Sequence, residues 1–366
     1  MKIIRISAYQ VDLPMKEGAY CWGGQSFAAF DSTVVLVETD AGISGVGESC
    51  PLGPAYLPAY AQGVRSGLET LSPALIGCDP LQIDALYDRM DLHLVGHPYI
   101  KSALDMAFWD ILGKSTGLPA YMLLGGLRNE RVKLFKVLSR QNPDAMVERL
   151  GAYQAQGFDK FQIKVGADAD EDIARIQAVL AARKAGDIFC ADANTTWKMH
   201  EAMRVVGATR GMDYYMEQPC LTYEECLSVR RHCDQPMILD ECMDSIAMLI
   251  RGRDDQAMDQ VNLKINRLGG LTKARQFRDL CIDFGIYMTI EDSWGGEIST
   301  AAIAHLAHST PARFASQSSA FHEYTDVVIA DGAPEISNGT MTAADAPGLG
   351  VIPRMDVLGD PVFVVS

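Results

Sequence analysis

From residue 130 onward the chain repeats one pattern, in which a short apolar, strand-like segment is followed by an amphipathic, helix-like stretch. The strand-like segments are 132–139, 160–165, 188–193, 214–219, 236–241, 260–265, 286–292 and 313–318. The helix-like stretches include 143–157, 169–184, 199–210, 222–232 and 270–284. Eight strands that alternate with helices predict an α/β fold of the (β/α)8 barrel type. An open doubly wound sheet would carry a glycine-rich phosphate-binding turn after its first strand, and none follows 132–139.

The first 125 residues have a different pattern, with strands before helices. Strands are predicted at 2–12, 31–39 and after a tight turn in 42–48, and helices at 57–75, 81–92 and 98–115. The last helix has apolar residues at helical spacing and ends at Gly117 and Pro119. We therefore expect an α+β domain over 1–125, a barrel domain over 126–330, and a C-terminal segment over 331–366 that packs back on the first domain.

The chain is acidic, with 32 Lys and Arg against 47 Asp and Glu and a formal charge of −15. This balance argues against nucleic acid or an anionic membrane as a partner. The nine cysteines form no CxxC pair, which indicates free thiols in a reducing compartment. No apolar run approaches the roughly 20 residues of a membrane span, and the N-terminus lacks a signal-peptide core. We expect a cytoplasmic homo-oligomer that acts on a small molecule.

Polar side chains stand at the C-terminal ends of consecutive predicted barrel strands, which form the catalytic face of such a barrel. They are Lys164 on strand 2, Asp192 and Asn194 on strand 3, Glu217 on strand 4, Asp240 and Glu241 on strand 5, Lys264 on strand 6, and Glu291 and Asp292 on strand 7. Because these strand ends lie at the same end of a barrel, we expect the side chains to form one site.

Three of the carboxylates lie on adjacent strands and would repel one another without a cation between them. They belong to Asp192, Glu217 and Asp240. Hard oxygen ligands without a nearby His or Cys favour Mg²⁺, and we expect one ion per active site. The alternative is a carboxylate network that the neighbouring lysines neutralise.

Lys164 and Lys264 lie four strands apart in a ring of eight, so they would face a bound substrate from opposite sides. Two opposed lysines beside a divalent ion suggest a pair of acid–base groups. A metal that binds a carboxylate makes its α-proton more acidic. The pattern predicts proton abstraction α to a carboxylate. The rival interpretations are a Schiff-base aldolase with one covalent lysine and a non-catalytic metal-binding scaffold.

Several segments resemble the enolase superfamily, in its mandelate racemase and muconate lactonising enzyme branch. They are SALDMAFWDILGKSTGLPAYMLLGG (102–126), the strand ends QIKVG, ADANTTW, MEQP and LDE, KINRLGG (264–270) and APGLGV (346–351). The resemblance implies an α+β domain that caps a (β/α)7β barrel, Mg²⁺ on the three carboxylates, and the two lysines as bases. It also implies that Asn194 and Glu241 contact the metal ligands. Many relatives carry Lys-x-Lys on strand 2, whereas Gln162 precedes Lys164 here.

Three further stretches resemble enzymes of proline-type amino acids, the cis-3-hydroxy-L-proline dehydratases and the proline-betaine epimerases. They are KEGAYCWGGQSFAAFDS (16–32), CPLGPAYLPAY (50–60) and EDSWGGEI (291–298). This resemblance implies that Glu291 or Asp292 receives a secondary ammonium, and that Trp22 and Tyr56 belong to a substrate lid. The betaine epimerases carry a Trp after strand 8, but 313–321 here reads RFASQSSAF. An aromatic cage for a methylated cation is therefore not expected.

These observations favour a Mg²⁺-dependent dehydratase of cis-3-hydroxy-L-proline that forms Δ1-pyrroline-2-carboxylate. In the cis isomer the hydroxyl and the α-hydrogen lie on opposite faces of the ring. One lysine could therefore take the α-proton while the other protonates the departing hydroxyl. The alternative is a racemase or 2-epimerase of proline-type amino acids, in which the same lysines remove and return one proton.

Overall fold

The computed structural model describes residues 1–22 and 25–366. The strands are β1 Ile3–Pro14, β2 Tyr20–Trp22, β3 Gln25–Phe27, β4 Ala29–Thr39, β5 Ser44–Ser49, β6 Val132–Lys133, β7 Lys136–Leu138, β8 Lys160–Lys164, β9 Ile188–Asp192, β10 Tyr215–Glu217, β11 Met237–Leu239, β12 Gln260–Lys264, β13 Tyr287–Glu291, β14 Ala315–Ser318, β15 Ala330–Asp331, β16 Glu335–Ser337, β17 Thr340–Thr342, β18 Ile352–Pro353 and β19 Phe363–Val365. The α-helices are α1 Ala61–Leu71, α2 Ile83–His93, α3 Pro98–Thr116, α4 Ala120–Leu123, α5 Pro143–Ala155, α6 Ala169–Ala181, α7 Met199–Ala208, α8 Tyr223–Arg230, α9 Ile246–Asp254, α10 Ile265–Leu268, α11 Leu271–Phe284, α12 Glu297–His308 and α13 Met355–Leu358.

The barrel is one eight-stranded parallel sheet in which β7 to β14 follow each other in chain order. A parallel bridge between Leu134, just before β7, and Ser318, at the end of β14, brings the two edges of the sheet together. A short 3-10 helix, Phe321–Tyr324, directly follows β14 in the place of an eighth helix. The predicted barrel with an N-terminal α+β domain is confirmed. Among the described residues, no helix has both the length and the apolar character that crossing a membrane requires.

Some predicted elements differ from the observed ones. The predicted strand 132–139 is split, because β6 pairs with β17 of the C-terminal segment while β7 joins the barrel. The predicted helix 57–75 begins only at Ala61 and gives way to a 3-10 turn at Ser72, since prolines at 51, 54, 58 and 73 disfavour α-helical backbone around them. Helix α12 is not among the predicted helices, because all of its residues are buried and it has no polar face.

The N-terminal domain is an antiparallel sheet in the order β19-β1-β4-β5, with α3 packed against β5. The close approach of α3 requires Gly47, since a Cβ atom there would overlap the carbonyl oxygen of Ala103. Strand β19, at the C-terminus of the chain, pairs with β1 along the register Ile6 to Val365. The domain limits at residues 125 and 330 stay a prediction.

Two buried carboxylates of the N-terminal domain cap helices of the barrel. Helices α11 and α12 both begin after a glycine and have no side-chain cap of their own. Asp105 accepts hydrogen bonds from the backbone nitrogen of Thr272 at 2.9 Å and from its hydroxyl at 2.5 Å. Glu48 accepts from the backbone nitrogens of Gly296 at 2.8 Å and Ser299 at 2.9 Å. These contacts fix the N-terminal domain over the barrel mouth, since a carboxylate satisfies the free N–H groups of a helix start.

Candidate active site

A small pocket lies where the C-terminal ends of the barrel strands meet the N-terminal domain. The barrel contributes the side chains of Lys164, Asp192, Asn194, Glu217, Lys264, Glu291 and Asp292, and the N-terminal domain contributes those of Tyr20, Leu52 and Tyr56. The strand register explains the grouping, because Lys164 on β8 lies opposite Asp192 on β9, which lies opposite Glu217 on β10. The structure thus brings most of the predicted site residues together.

Lys164 is buried and lies in a strongly negative environment. Its Nζ atom is 2.5 Å from Asp192 Oδ2 and 3.0 Å from Asn194 Oδ1. The ring of Tyr20 covers the same amine, with 5.8 Å between Nζ and the ring centroid. Burial opposes the positive charge, but the neighbouring Asp192 carboxylate raises the pKa of Lys164 well above its usual value. In this arrangement the amine of Lys164 donates hydrogen bonds to both Asp192 and Asn194.

Lys264 has a similar environment on the far side of the three carboxylate-bearing strands. Its Nζ atom is 2.9 Å from Asp240 Oδ2 and 3.6 Å from Glu291 Oε1. It also donates to the hydroxyl of Tyr56 at 2.9 Å. Burial opposes its charge, but the Asp240 carboxylate raises the pKa of Lys264 above its usual value. Each lysine therefore pairs with one predicted metal ligand and is covered by one tyrosine of the N-terminal domain.

Glu217 lies between the two lysines on β10, and neutral donors hold its carboxylate. Gln162 Nε2 donates to both of its oxygens at 3.1 Å, and Asn262 Nδ2 donates to Oε1 at 2.6 Å. The thiol of Cys190 donates to Oε2 at 2.8 Å. Burial and the charges of Asp192 and Asp240 raise the pKa of Glu217 well above its usual value. Gln162, the departure from Lys-x-Lys, therefore meets Glu217 as a neutral hydrogen-bond donor and not as a cation.

Asp240 is held by two cations, of which one is not among the predicted site residues. Arg267 donates to its Oδ1 atom at 2.5 Å, while Lys264 contacts Oδ2. Burial opposes its ionisation, but Lys264 and Arg267 hold the pKa of Asp240 below its usual value. Tyr56, a predicted lid residue, donates its hydroxyl to Oδ2 at 3.2 Å and so contacts the carboxylate directly.

Asn194 contacts a predicted metal ligand, and Glu241 is joined to that ligand through Asn194; the roles of both residues at the metal stay a prediction. Asn194 donates its backbone nitrogen to Asp192 Oδ1 at 2.8 Å and its side-chain amide to Glu241 Oε1 at 3.1 Å. Burial and the Asp240 charge raise the pKa of Glu241 to about 8. Its Oε2 atom is buried and has no hydrogen-bond partner among the described residues. A buried carboxylate oxygen without a donor is an open position for a cation or a polar ligand.

Six carboxyl groups and three cationic side chains are buried at these strand ends. The carboxyls belong to Asp192, Glu217, Asp240, Glu241, Glu291 and Asp292, and the cations to Lys164, Lys264 and Arg267. This excess of negative charge and the set of hard oxygen atoms fit a Mg²⁺ ion. Within residues 1–22 and 25–366, however, no three Asp, Glu, His or Cys side chains form a preassembled metal site. The three predicted ligands face cations and amides instead, and their assignment stays a prediction.

The predicted substrate-binding residues take different positions. Glu291 lines the pocket beside Lys264. Asp292 also lines it, but its carboxylate accepts from the backbone and side-chain nitrogens of Asn266 and from the backbone nitrogen of Ser293, all within 3.2 Å. Trp22 reaches the site through Tyr56, against whose ring it packs edge-on at 5.3 Å. Glu291 is thus the more available carboxylate for a substrate.

Several residues of the site are absent from the sequence-based prediction. Trp294 packs between Tyr20 at 4.9 Å and Phe321 at 5.0 Å and lines the pocket. Asn262 and Cys190 lie two residues before Lys264 and Asp192 on their strands, and side chains at that spacing point to the same face. That spacing could have identified both residues. Arg267 lies in the quoted segment KINRLGG (264–270), which could have identified it, and it reaches Asp240 from the helical turn after β12.

A capped barrel with carboxylates on three consecutive strands and a lysine on either side has the architecture of an acid–base enzyme acting on an activated C–H bond. Residues 23–125 match the family model "Mandelate racemase / muconate lactonizing enzyme, N-terminal domain", and residues 145–357 match "Enolase C-terminal domain-like". The chain therefore belongs to the mandelate racemase and muconate lactonizing enzyme family of the enolase superfamily. The predicted family is confirmed.

Characterised relatives and solved structures agree with this assignment. The chain is 54% identical to the cis-3-hydroxy-L-proline dehydratase of Roseibium aggregatum over 363 residues, which is 99% of each chain. It is 30% identical to the N-succinyl-L-Arg/Lys racemase of Bacillus cereus, over 84% of this chain and 85% of the relative. A putative family member from Roseovarius nubinhibens ISM, solved in complex with magnesium, superposes with a TM-score of 0.96, at 36% identity and with full coverage of both chains. Magnesium binding is thus a property of the family.

Proposed function

We propose that this enzyme dehydrates cis-3-hydroxy-L-proline to Δ1-pyrroline-2-carboxylate in a Mg²⁺-dependent reaction. The observation that carries the proposal is the placement of Lys164 and Lys264. Both are buried in one pocket, on β8 and β12, with the carboxylate-bearing strands β9, β10 and β11 between them. The near full-length identity of 54% with a dehydratase of this name supports the same substrate.

The two lysines divide the proton transfers between them. One, as its neutral amine, takes the α-proton of the substrate and becomes an ammonium group, which breaks the C–H bond and leaves the electron pair on the substrate. The other donates a proton to the β-hydroxyl on the opposite face. The C–O bond then breaks, water departs, and the Cα–Cβ double bond of a cyclic enamine forms. The enamine tautomerises to the imine product.

The substrate ammonium needs a carboxylate that is not already occupied, and we assign this role to Glu291. Among residues 1–22 and 25–366, its polar contact is the 3.6 Å ion pair with Lys264, so its oxygens can accept further hydrogen bonds. Asp292 instead holds the short helix α10 that follows β12, through its contacts with Asn266. A charge-assisted contact between an ammonium and Glu291 would orient the ring between the lysines.

Asp192, Glu217 and Asp240 would hold the Mg²⁺ ion. When bound, the ion supplies positive charge that stabilises the negative charge gathering on the substrate carboxylate as the α-proton leaves. Tyr20 and Tyr56 cover the two lysines from the N-terminal domain and keep bulk water from the reacting atoms.

The test supplies each 3-hydroxyproline isomer separately and measures the cyclic imine with o-aminobenzaldehyde. We expect rapid imine formation from the cis isomer and little from the trans isomer, whose hydroxyl lies on the same face as the α-hydrogen. The second candidate function is 2-epimerisation of proline-type amino acids, which the similarity to a racemase favours. Rapid deuterium exchange at Cα in D₂O with inversion, and no imine from the cis isomer, would move the assignment to the epimerase.

A further inference from the structure

We propose that Gln218 is a positioning residue that sets the spacing of the three carboxylates assigned to Mg²⁺. It directly follows Glu217, and its contacts join the ends of β9, β10 and β11. This inference rests on the metal centre of the proposed function. Gln218 makes no hydrogen bond to the carboxylates of the predicted metal ligands. It acts through the backbone that carries these carboxylates.

The backbone of Gln218 connects strands on both sides. Its carbonyl oxygen accepts from the backbone nitrogen of Thr195, in the loop after Asp192, at 3.0 Å. Its nitrogen donates to the carbonyl oxygen of Ile238, on β11, at 3.0 Å. Its side-chain oxygen accepts from the backbone nitrogen of Asp240 at 2.9 Å. One residue thus links the chain segments that carry Asp192, Glu217 and Asp240.

The side chain of Gln218 is held in a single position. Its Nε2 atom donates to the carbonyl oxygen of Cys220 at 3.1 Å and contacts Cys226 Sγ at 3.5 Å. The thiol of Cys242 donates to Oε1 at 3.3 Å. The residue is fully buried, so no water can replace these partners. Removal of the amide would leave the Asp240 nitrogen without its acceptor and free the strand ends to shift.

The backbone around this bridge is strained. Gln218 has a φ of 32°, and Asn194 and Thr195, in the loop it contacts, have φ values of 44° and 69°. Across residues 1–22 and 25–366, these are three of only six non-glycine residues with positive φ. Side-chain-bearing residues occupy this region at a cost, and such strain persists where the surrounding structure imposes it, commonly at functional sites. The strain indicates that this loop geometry serves the site rather than the stability of the fold.

The test measures Mg²⁺ affinity directly, by isothermal titration calorimetry on full-length protein freed of metal with EDTA. Gln218→Met keeps the side-chain length but removes the amide. We expect its Kd for Mg²⁺ to rise about 10–100-fold, the usual effect of losing a group that orients metal ligands. Gln218→Asn is the second variant, because Asn tolerates positive φ but is too short to reach Asp240. It should also lower Tm, because the buried Asp240 nitrogen again loses its acceptor, and it should bind Mg²⁺ more weakly.

Gln235→Met is the matched control. Gln235 is also a buried glutamine just before β11, and it donates to the carbonyl oxygen of Thr209 at 2.7 Å, at the opposite end of the strand from Asp240. We expect this variant to lose stability with an unchanged Mg²⁺ affinity. A Kd within twofold of wild type for both Gln218 variants, or an equal weakening in Gln235→Met, would overturn the inference while leaving the proposed function intact. A wild-type protein that binds no Mg²⁺ would instead refute the metal centre itself.

Discussion

Arg267 is the cation whose removal should most affect the protein without bound metal. Its guanidinium donates to Asp240 Oδ1 at 2.5 Å and to the carbonyl oxygen of Asn262 at 2.6 Å, and all three residues are buried. Arg267→Met keeps an apolar stem of similar length and leaves Lys264 as the cation in contact with Asp240. The variant therefore creates a buried carboxylate that is only partly compensated.

The size of the effect follows from the cost of breaking a buried ion pair, which is about 3–5 kcal/mol when one partner is removed. Unfolding entropy of about 2.1 cal/mol/K per residue over 366 residues amounts to about 0.8 kcal/mol/K. The loss of stability then corresponds to a decrease in Tm of about 4–6 °C. Differential scanning calorimetry of EDTA-treated protein measures it.

Mg²⁺ should reduce this penalty, because an ion held by Asp240 supplies the charge that Arg267 no longer provides. We expect a smaller difference in Tm between wild type and Arg267→Met in excess Mg²⁺ than in EDTA. Arg278→Met is the control, since Arg278 is equally buried but its carboxylate partner, Asp279, is half exposed on the outside of the barrel. Its Tm difference should not depend on Mg²⁺. Equal Tm differences for Arg267→Met with and without Mg²⁺ would refute the reasoning.

Two further predictions concern activity. Lys164→Ala and Lys264→Ala should each lower kcat by roughly 10²–10⁴-fold, the usual scale for a positioned acid or base. Lys160→Ala, at the other end of β8, is the control and should have little effect. A kcat near that of wild type in either site variant would contradict the assignment. EDTA should abolish dehydration and added Mg²⁺ should restore it, and full activity in metal-free protein would exclude the metal centre.

The sequence predicts much of the site because the rules that place it are local. Lys164, Asp192 and Lys264 end apolar strand segments, and parallel strands of a barrel bring such ends to one face. Helix α3 runs from Pro98 to Thr116 against a predicted 98–115, since its start at a proline and its end at Gly117 are marked in the chain.

What the sequence does not predict depends on contacts between distant segments. Glu48 caps a helix start about 250 residues later in the chain, and no local pattern distinguishes it from a solvated glutamate. Arg267 pairs with Asp240 only because the turn after β12 folds back over the strand end. Helix α12 lacks amphipathic periodicity because the N-terminal domain and the C-terminal segment cover the face that would otherwise meet solvent.

The roles of Glu291 and Asp292 can be separated by two isosteric substitutions. Asp292 accepts three backbone or amide contacts at 2.7–3.0 Å and a longer one at 3.2 Å, so Asp292→Asn sets an NH₂ group against N–H donors and should lower Tm. Glu291→Gln preserves the shape of the pocket but removes the charge we assign to the substrate ammonium. A hydrogen bond to a charged group contributes about 1.5–3 kcal/mol, so kcat/KM should fall about 10–100-fold with a smaller change in Tm. Steady-state kinetics and thermal unfolding of both variants show which carboxylate binds the substrate ammonium. If kcat/KM falls most in Asp292→Asn and Tm falls most in Glu291→Gln, the ammonium is assigned to Asp292 instead.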